Sequence, residues 1–342
     1  MRVLVTGGTG FVGSHAVAAL RRRRHDVRVL ARRPERVAQV LAPLGGRDVD
    51  VAPGDMTDAE AVARALAGCD AVVHAAAEIG VASGRGPAGS ANVEGVRQVV
   101  GQAAARGLDP IVYTSTVAAY LPTDQAAITL DTPLAEPLSA YGRAKREAEE
   151  LVRSYQATGA PVTTFVIGGV YGPQSPTLGD SFTPFLAALR SFMAVTDGGM
   201  GVVDVRDLAD LLAAAVEPGR GPRRYLAGGP FLSWAAWVDA LSEAVGREVA
   251  TVPMAAPELI ELGRALDRRR EHEEVDIPLS EEAAVIMSAG VPTDDTATLA
   301  DLGGRWRSPV ETFRDVVGWL VEQGHLPPEP GLATGPAPRP GR

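Results

Sequence analysis

The chain has 342 residues, 46% of them hydrophobic and 22% charged, with a formal net charge of −9. That length can bury one large core or two smaller ones, and the acidic balance excludes a whole-molecule attraction to nucleic acid or to an anionic membrane surface. A single cysteine, Cys69, excludes an intrachain disulfide and fits a reducing compartment, and no apolar run approaches the roughly 20 residues of a bilayer crossing.

The opening MRVLVTGG runs directly into a strand-like segment without a leader pattern, so the expected location is cytoplasmic. Apolar, β-branched runs at 2–7, 27–30, 48–55, 71–76, 110–115 and 161–168 predict buried strands. Between them, GSHAVAALRRR, DAEAVARALAG, NVEGVRQVVGQAAARG and SAYGRAKREAEELVRSYQ carry apolar residues at helical spacing. Near-continuous apolar strands alternating with helices predict an α/β fold, a doubly wound parallel sheet covered on both faces. Beyond about residue 175 the alternation weakens. SPTLGDSFTPFLAALRSF reads as a loop and a helix, GVVDVRDLADLLAAAV and RRYLAGG as a helix and a strand returning to the sheet, and 231–328 as mostly helical. The expected division is a sheet domain over 1–175 and 201–229, a smaller, mostly helical lobe over 176–200 and 230–328, and a disordered tail over 329–342.

VTGGTGFVG (5–13) closes the first strand and opens a helix. It satisfies GxGxxG through Gly8, Gly10 and Gly13, and GxxGxxG through Gly7, Gly10 and Gly13. A glycine match is weak among 38 glycines; its place at the first strand-to-helix turn gives it weight. There, backbone N–H groups at the start of the helix, around Phe11 and Val12, can hold a pyrophosphate. The other reading is a glycine-rich turn without a ligand. A site for NAD usually carries Asp or Glu about 20 residues further on, for the ribose 2′-hydroxyl. Here the second strand ends in Ala31, Arg32 and Arg33. An acid repels a 2′-phosphate, whereas an arginine bonds it in bidentate fashion. NADP(H) is therefore expected over NAD(H), against the alternative that these arginines form a solvated basic face like Arg21 to Arg24. Asp55 and Met56 are expected beside the adenine, and Ala75, Ala76 and Ala77 are small enough to let a cofactor lie along the fourth strand's end.

Lys145 is the only lysine among 33 basic residues. In YGRAK it stands four residues after Tyr141, on the same face of a helix. A phenol has a pKa near 10, and acting near neutrality requires a drop of about 3 units, roughly 4 kcal/mol. One unit charge about 4 Å away at an effective dielectric of about 20 supplies that much. An ammonium is a compact point charge with three rotatable donors that can serve a phenol and a ribose hydroxyl together; a planar guanidinium is poorly shaped for both. Tyr141 and Lys145 are thus the expected catalytic pair, against an ordinary helical pair with a solvated lysine.

TGGTGFVG, HAAA, NVEGVRQVV, the Ser/Thr pair closing the fifth strand, YGRAK and GGVYGP together resemble the extended short-chain dehydrogenase/reductase family, the NAD-dependent epimerase/dehydratase group, over nearly the whole chain. GVVDVRDLADLLAAA, RRYLAGGPFLSW and WRSPVETFRDVVGWLVEQG look most like its dihydroflavonol-reductase-type carbonyl reductases. The resemblance implies a Rossmann dinucleotide-binding domain with a substrate-binding lobe. It implies that hydride passes from the nicotinamide to a carbonyl carbon while Tyr141 donates a proton to the oxygen and Lys145 lowers the tyrosine pKa and holds the nicotinamide ribose. A hydroxyl orients the substrate oxygen; the family's spacing to Tyr120 and Tyr141 selects Thr116, with Ser115 second and otherwise a strand cap. Thr114, Ile167, Gly168 and Val170 complete the implied cofactor contacts. Two departures stand out: Val166-Ile167 replaces the family's Arg-Pro, and the loop from Glu78 to Ala91 offers no obvious substrate anchor.

Three functions are compatible with these residues: an NADPH-dependent reductase of a small, apolar ketone or aldehyde, a nucleotide-sugar epimerase or dehydratase, and a non-catalytic NADP sensor. Dehydratases of the family follow the Thr with Asp-Glu, but Val117 and Ala118 follow Thr116. Sensors lose the Tyr-Lys pair, which is retained here. The reductase is favoured. No metal is expected, since the five histidines are scattered, and no GxSxG elbow offers a hydrolase nucleophile. Phe182, Phe185, Phe192, Met193, Phe231 and Trp234 read as core before pocket. The expected partner is a small-molecule substrate, with no nucleic acid and no membrane, and monomer and homodimer both stay open.

Overall fold

The computed structural model describes residues 1–46, 48–78, 88–136, 140–179, 182–275, 277 and 279–327. The expected disordered tail and most of the Glu78–Ala91 loop lie outside the described residues. In chain order the first half comprises β1 (Arg2–Thr6), α1 (Phe11–Arg22), β2 (Asp26–Ala31), α2 (Glu35–Leu41), β3 (Asp50–Pro53), α3 (Ala59–Leu66), β4 (Ala71–His74), α4 (Ala88–Ala105), β5 (Ile111–Thr116), α5 (Ala140–Ala157) and β6 (Val162–Ile167). The second half comprises β7 (Gly169–Tyr171), α6 (Phe182–Arg190), β8 (Met193–Val195), β9 (Gly199–Asp204), α7 (Val205–Ala214), β10 (Arg223–Ala227), β11 (Phe231–Ser233), α8 (Trp234–Val245), β12 (Thr251–Pro253), α9 (Ala256–Arg270), α10 (Glu281–Ala289), α11 (Thr296–Leu302) and α12 (Pro309–Glu322).

Seven strands form one sheet in the order β10-β6-β5-β4-β1-β2-β3, every neighbouring pair parallel. The strands are apolar on both faces because both faces are covered. Val3 and Val5 pack with Val17 and Leu20 of α1 and Leu208 and Leu212 of α7, whereas Leu4, between them, packs with Val62 of α3, Val96 and Val99 of α4 and Val152 of α5. Each such side chain contributes about 1.5–3 kcal/mol when fully buried. The chain winds outward from β1 to β3 and then returns to lay β4 on the other side of β1. That reversal opens a crevice at the carboxyl ends of β1 and β4, where doubly wound sheets bind ligands.

A separate aromatic core holds the second half together. Tyr171, Phe185, Trp237 and Phe313 are mutually packed, with Trp237 and Phe313 ring centroids 5.0 Å apart in an edge-to-face contact. Phe182, Met193 and Trp234 are buried in the same core as expected, Phe231 is half-buried, and Phe192 departs from expectation by lying 50% exposed.

Two elements differ from the sequence reading. Helix α2 follows the second strand where the sequence reading placed no helix; Val37 and Leu41, one turn apart, give it a buried stripe. The start of GVVDVRDLADLL is strand, not helix: β9 joins β7 and β11 in a small second sheet, and Asp204 then caps α7 by accepting from the Arg206 amide at 2.8 Å. β10 returns to the main sheet beside β6, as expected. Among the described residues no helix is long and apolar enough to cross a membrane.

Asp295 fastens the C-terminal region to the end of β10. Its buried carboxylate accepts from the amides of Gly228 (3.1 Å) and Gly229 (2.7 Å), from Thr293 Oγ1 (2.7 Å) and from Trp306 Nε1 (3.0 Å). Asp295→Ala strands four donors and is expected to lower the unfolding free energy by about 3–5 kcal/mol. Urea denaturation checks this; a loss below about 1 kcal/mol would contradict the assignment.

Candidate active site

The β1–α1 turn is shaped by close approach. Gly7 has φ +73°, and a Cβ there would lie 2.6 Å from the Ala76 amide nitrogen, so the turn rests directly on the chain leaving β4. A Cβ at Gly13 would collide with the Gly7 carbonyl. Gly10, whose amide donates to Gly7 O at 2.8 Å, is different: within 4 Å an added Cβ would meet only that carbonyl oxygen. Gly10 caps α1 without any side-chain bond, which leaves the first-turn N–H groups, beginning with those of half-buried Phe11 and Val12, without a capping side chain among the described residues. An exposed glycine over a helix start without a side-chain cap fits the pyrophosphate of a dinucleotide.

The second strand ends at buried Ala31, followed by exposed Arg32 and Arg33. Arg32, with its side chain 70% exposed, faces Asp55 at 3.8 Å and Glu78 at 3.9 Å. Both pairs are loose and solvated, and worth little. Asp55 is already held by its own turn, accepting from the Thr57 amide (2.9 Å) and hydroxyl (2.7 Å), and Met56 packs against the α3–α4 side of the core. Ala75 and Ala76 are half-buried and Ala77 is exposed. The segment after β4 is fixed at Glu78, whose amide donates to Asn92 Oδ1 (2.8 Å) and whose carbonyl accepts from Asn92 Nδ2 (3.0 Å). The segment NVEGVRQVV reads in sequence only as a helix start; the structure shows that buried Asn92 within it holds Glu78 through both ends of its side-chain amide.

At the end of β5, Thr114 Oγ1 donates to the His74 carbonyl at 3.3 Å. Thr116 is half-buried, and its Oγ1 accepts from the Ala118 amide at 3.2 Å, capping the 3-10 turn over 117–120. The capping role weighed for Ser115 therefore belongs to Thr116, because Thr116 is the last residue in extended conformation before the turn. Ser115 is buried, and its hydroxyl has no hydrogen-bond partner among the described residues. Thr116 lies opposite Ile167 in the sheet, so Ile167 and Gly168 close β6 beside the hydroxyl-bearing end of β5, and half-buried Val170 follows in β7.

Helix α5 carries Tyr141 one turn before Lys145; the Tyr141 side chain lies outside the described residues. Lys145 is only 4% exposed, and its Nζ lies 5.7 Å from the centroid of the Tyr113 ring. Burial lowers its pKa to about 8, with the charge of Glu149 opposing the drop. His74 stacks on Tyr113, with centroids 5.8 Å apart, and its Nδ1 lies 2.7 Å from Thr6 Oγ1. Burial, and secondarily the Lys145 charge, push the His74 pKa down to about 3, so the imidazole is neutral near pH 7. Those of the expected residues that precede α5 or close β6 thus lie at or just beyond the carboxyl ends of β1 to β6, with Lys145 buried on α5 beside them. His74, Tyr113 and Glu149 surround the lysine without having been singled out beforehand; no local motif marks them, because they meet it only across the sheet and along the helix.

A glycine turn at the switch point of a doubly wound sheet defines a dinucleotide-binding fold. Residues 3–228 match the model of the NAD dependent epimerase/dehydratase family, and the chain belongs to this family of extended short-chain dehydrogenases/reductases, as an NAD(P)-dependent enzyme. A 4-hydroxy-2-methyl-3-oxo-4-farnesyl-3,4-dihydroquinoline-1-oxide ketoreductase of Stigmatella aurantiaca is 31% identical over 284 residues, 78% of this chain and 81% of that protein. A Synechocystis protein named for dihydroflavonol 4-reductase is 28% identical over 344 residues, 94% of this chain and 95% of that protein. The UDP-glucose-4-epimerase of Stenotrophomonas maltophila, solved with NAD and formylated UDP-arabinopyranose, superposes with a TM-score of 0.76 at 20% identity, covering 95% of this chain and 99% of that one. At that identity the likeness speaks for the fold.

Gly10→Ala puts a methyl on the open face of the turn. The added Cβ would lie 3.2 Å from the Gly7 carbonyl oxygen, so the turn must shift slightly; calorimetric titration of the folded variant with a nicotinamide dinucleotide is expected to show at least about tenfold weaker binding.

Stability is expected to fall with acid. Burial lowers His15 to about 4 and His74 to about 3, so the unfolded chain takes up these protons below about pH 6.5 while the folded chain does not. Asp207, pushed up to about 6 by burial, and Asp295, also raised by burial, work in the opposite direction, while His25, lowered by burial, works with the other two histidines. Urea midpoints should therefore drop between pH 6.5 and 5, and His74→Asn should flatten that slope by about 1.4 kcal/mol per pH unit.

Proposed function

We propose that this protein is an NADPH-dependent reductase of a small, apolar ketone or aldehyde, with a dinucleotide-binding domain over 1–175 and 201–229 and a substrate-binding lobe over 176–200 and 230–328. The observation that carries this reading is the burial of the only lysine at the sheet's carboxyl edge, one helical turn after Tyr141. A lysine with a merely solvated role has no reason to lose its hydration there.

When bound, the nicotinamide supplies the hydride. The protein's own residues handle the substrate oxygen. Tyr141 donates its phenolic proton to that oxygen, and the Lys145 ammonium stabilises the phenolate left behind, which makes the proton available near neutral pH. Thr116, half-buried at the end of β5, offers its hydroxyl to the same oxygen, and Ser115 is the neighbouring candidate. Val117 and Ala118, in place of a second acid and base, support reduction over dehydration. Ala31 and the exposed, loosely paired Arg32, with Arg33 beside it, support NADPH: a 2′-phosphate offers Arg32 more charge than Asp55 and Glu78 do. The single cysteine supports a reducing, cytoplasmic setting.

Calorimetry is expected to show NADPH binding at least about tenfold more tightly than NADH, with Arg32→Asp narrowing or reversing the difference; equal affinities in the unaltered protein would remove the cofactor assignment. Tyr141→Phe should slow turnover by about 10²–10⁴-fold while leaving dinucleotide affinity nearly unchanged. A screen of ketones, aldehydes and nucleotide-sugars followed at the NADPH absorbance identifies the reaction. Stoichiometric cofactor oxidation by a carbonyl compound supports the reductase; interconversion of a nucleotide-sugar without net cofactor change would replace it with an epimerase.

A further inference from the structure

Past Lys145, the row of residues at one-turn intervals along α5 continues with Glu149 and Arg153. Glu149 is 0% exposed. Its Oε1 accepts from the Tyr120 hydroxyl at 3.3 Å and lies 3.5 Å from Arg153 Nε, while Oε2 has no hydrogen-bond partner among the described residues. Arg153 in turn donates to the Tyr120 hydroxyl at 2.9 Å and lies over its ring at 5.8 Å. Burying a carboxylate with one oxygen unbonded is costly, and stacking apolar residues would have been the cheaper way to dock this part of α5. One Glu149 oxygen is anchored by Tyr120 and Arg153 and the other is left without a hydrogen bond among the described residues, so the anion is held in place without its charge being spent entirely on Arg153.

The surroundings of Lys145 say what that anion does. β4 carries His74, which is neutral, and β5 carries Tyr113, whose ring Nζ approaches; α4, which packs against α5, carries buried Asn92, Val93 and Val96, and its charged pair Glu94–Arg97 is partly exposed. The turn after β5 presents Tyr120, near which Arg224 of β10 adds positive charge. Among these groups Glu149 is the buried anion, and it is the one that opposes the downward pull of burial on the lysine.

We propose that Glu149 is a positioning residue: a buried carboxylate, anchored by Tyr120 and Arg153, that keeps Lys145 in its ammonium form inside a dry site. The consequence for turnover rests on the reading of Tyr141 and Lys145 as the catalytic pair; the charge state of Lys145 does not, and it can be measured separately.

Because the chain has one lysine, the full-length protein carrying lysine labelled at Cε and Nζ gives a single side-chain NMR signal from Lys145. Its titration between about pH 6 and 11 should have a midpoint near 8. In Glu149→Gln, which keeps the shape and can still accept from Tyr120, the midpoint is expected to fall by roughly one to two units. Arg153→Gln removes a competing cation from the carboxylate, so the midpoint is expected to rise. Opposite shifts in two neighbouring variants distinguish charge from packing, since loosened packing admits water and moves both the same way. An unchanged midpoint in folded Glu149→Gln overturns the proposal. Where that variant does not fold, Arg153→Gln decides, and a fall or no change overturns it. If the titrations behave as expected and no carbonyl compound is reduced, the reductase reading fails while the role of Glu149 stands.

Discussion

A positive charge held out of water is the constraint around which this molecule is arranged. An ammonium at the carboxyl edge of the sheet acts on its neighbours through a medium of low dielectric, where its field is several times stronger than in solution. That strength is useful only if the charge persists, and burial works against it. The neutral imidazole of His74, the ring of Tyr113 and the buried carboxylate of Glu149 are what the fold supplies around it. Helix α5 can bring Lys145 there because Ala144, Ala148 and Val152 bury against the sheet and hold the helix close. Small residues on that face set the depth of the lysine, and the depth sets its chemistry.

The second constraint is the reversal of strand order between β1 and β4. It places an uncapped helix start against the chain leaving β4, with Gly7 allowing contact that a Cβ would forbid. Asn92 then fixes Glu78 from the far side, and Thr6 joins the two strands by binding His74 and accepting from the Ala76 amide at 3.3 Å. Hydrogen bonds thus tie the glycine turn to β4, and ring contacts lead from His74 through Tyr113 to Lys145. A change at Thr6 or His74 reaches both.

Much of this was legible in the chain itself. The strand–helix alternation through β6 follows from apolar runs too continuous for a sheet wetted on one face. The glycine turn announced itself by position, and YGRAK by a lysine in a chain that otherwise writes arginine. Less was legible where two patterns coincide. GVVDVRDLADLL has helical spacing throughout, yet its first residues pair with β7 and β11, a choice made by distant partners. Helix α2 is short and buries only Val37 and Leu41, too few apolar positions to mark a helix by their spacing. Ser115 and Thr116 are chemically interchangeable in sequence; the turn that follows gives the cap to Thr116 and leaves Ser115 buried.

The sequence alone determined the α/β class, the glycine turn after the first strand and the one-turn spacing of Tyr141 and Lys145, because each depends on residue type and on spacing within one or two consecutive elements. Only the tertiary structure decided how dry the lysine is, that His74 is neutral beside it, and that Glu149 and Tyr120 stand behind it. Those properties are set by what is excluded from a site as much as by what enters it. Exclusion of water is a collective result of α4, α5, β4 and β5 packing together, which no local pattern encodes.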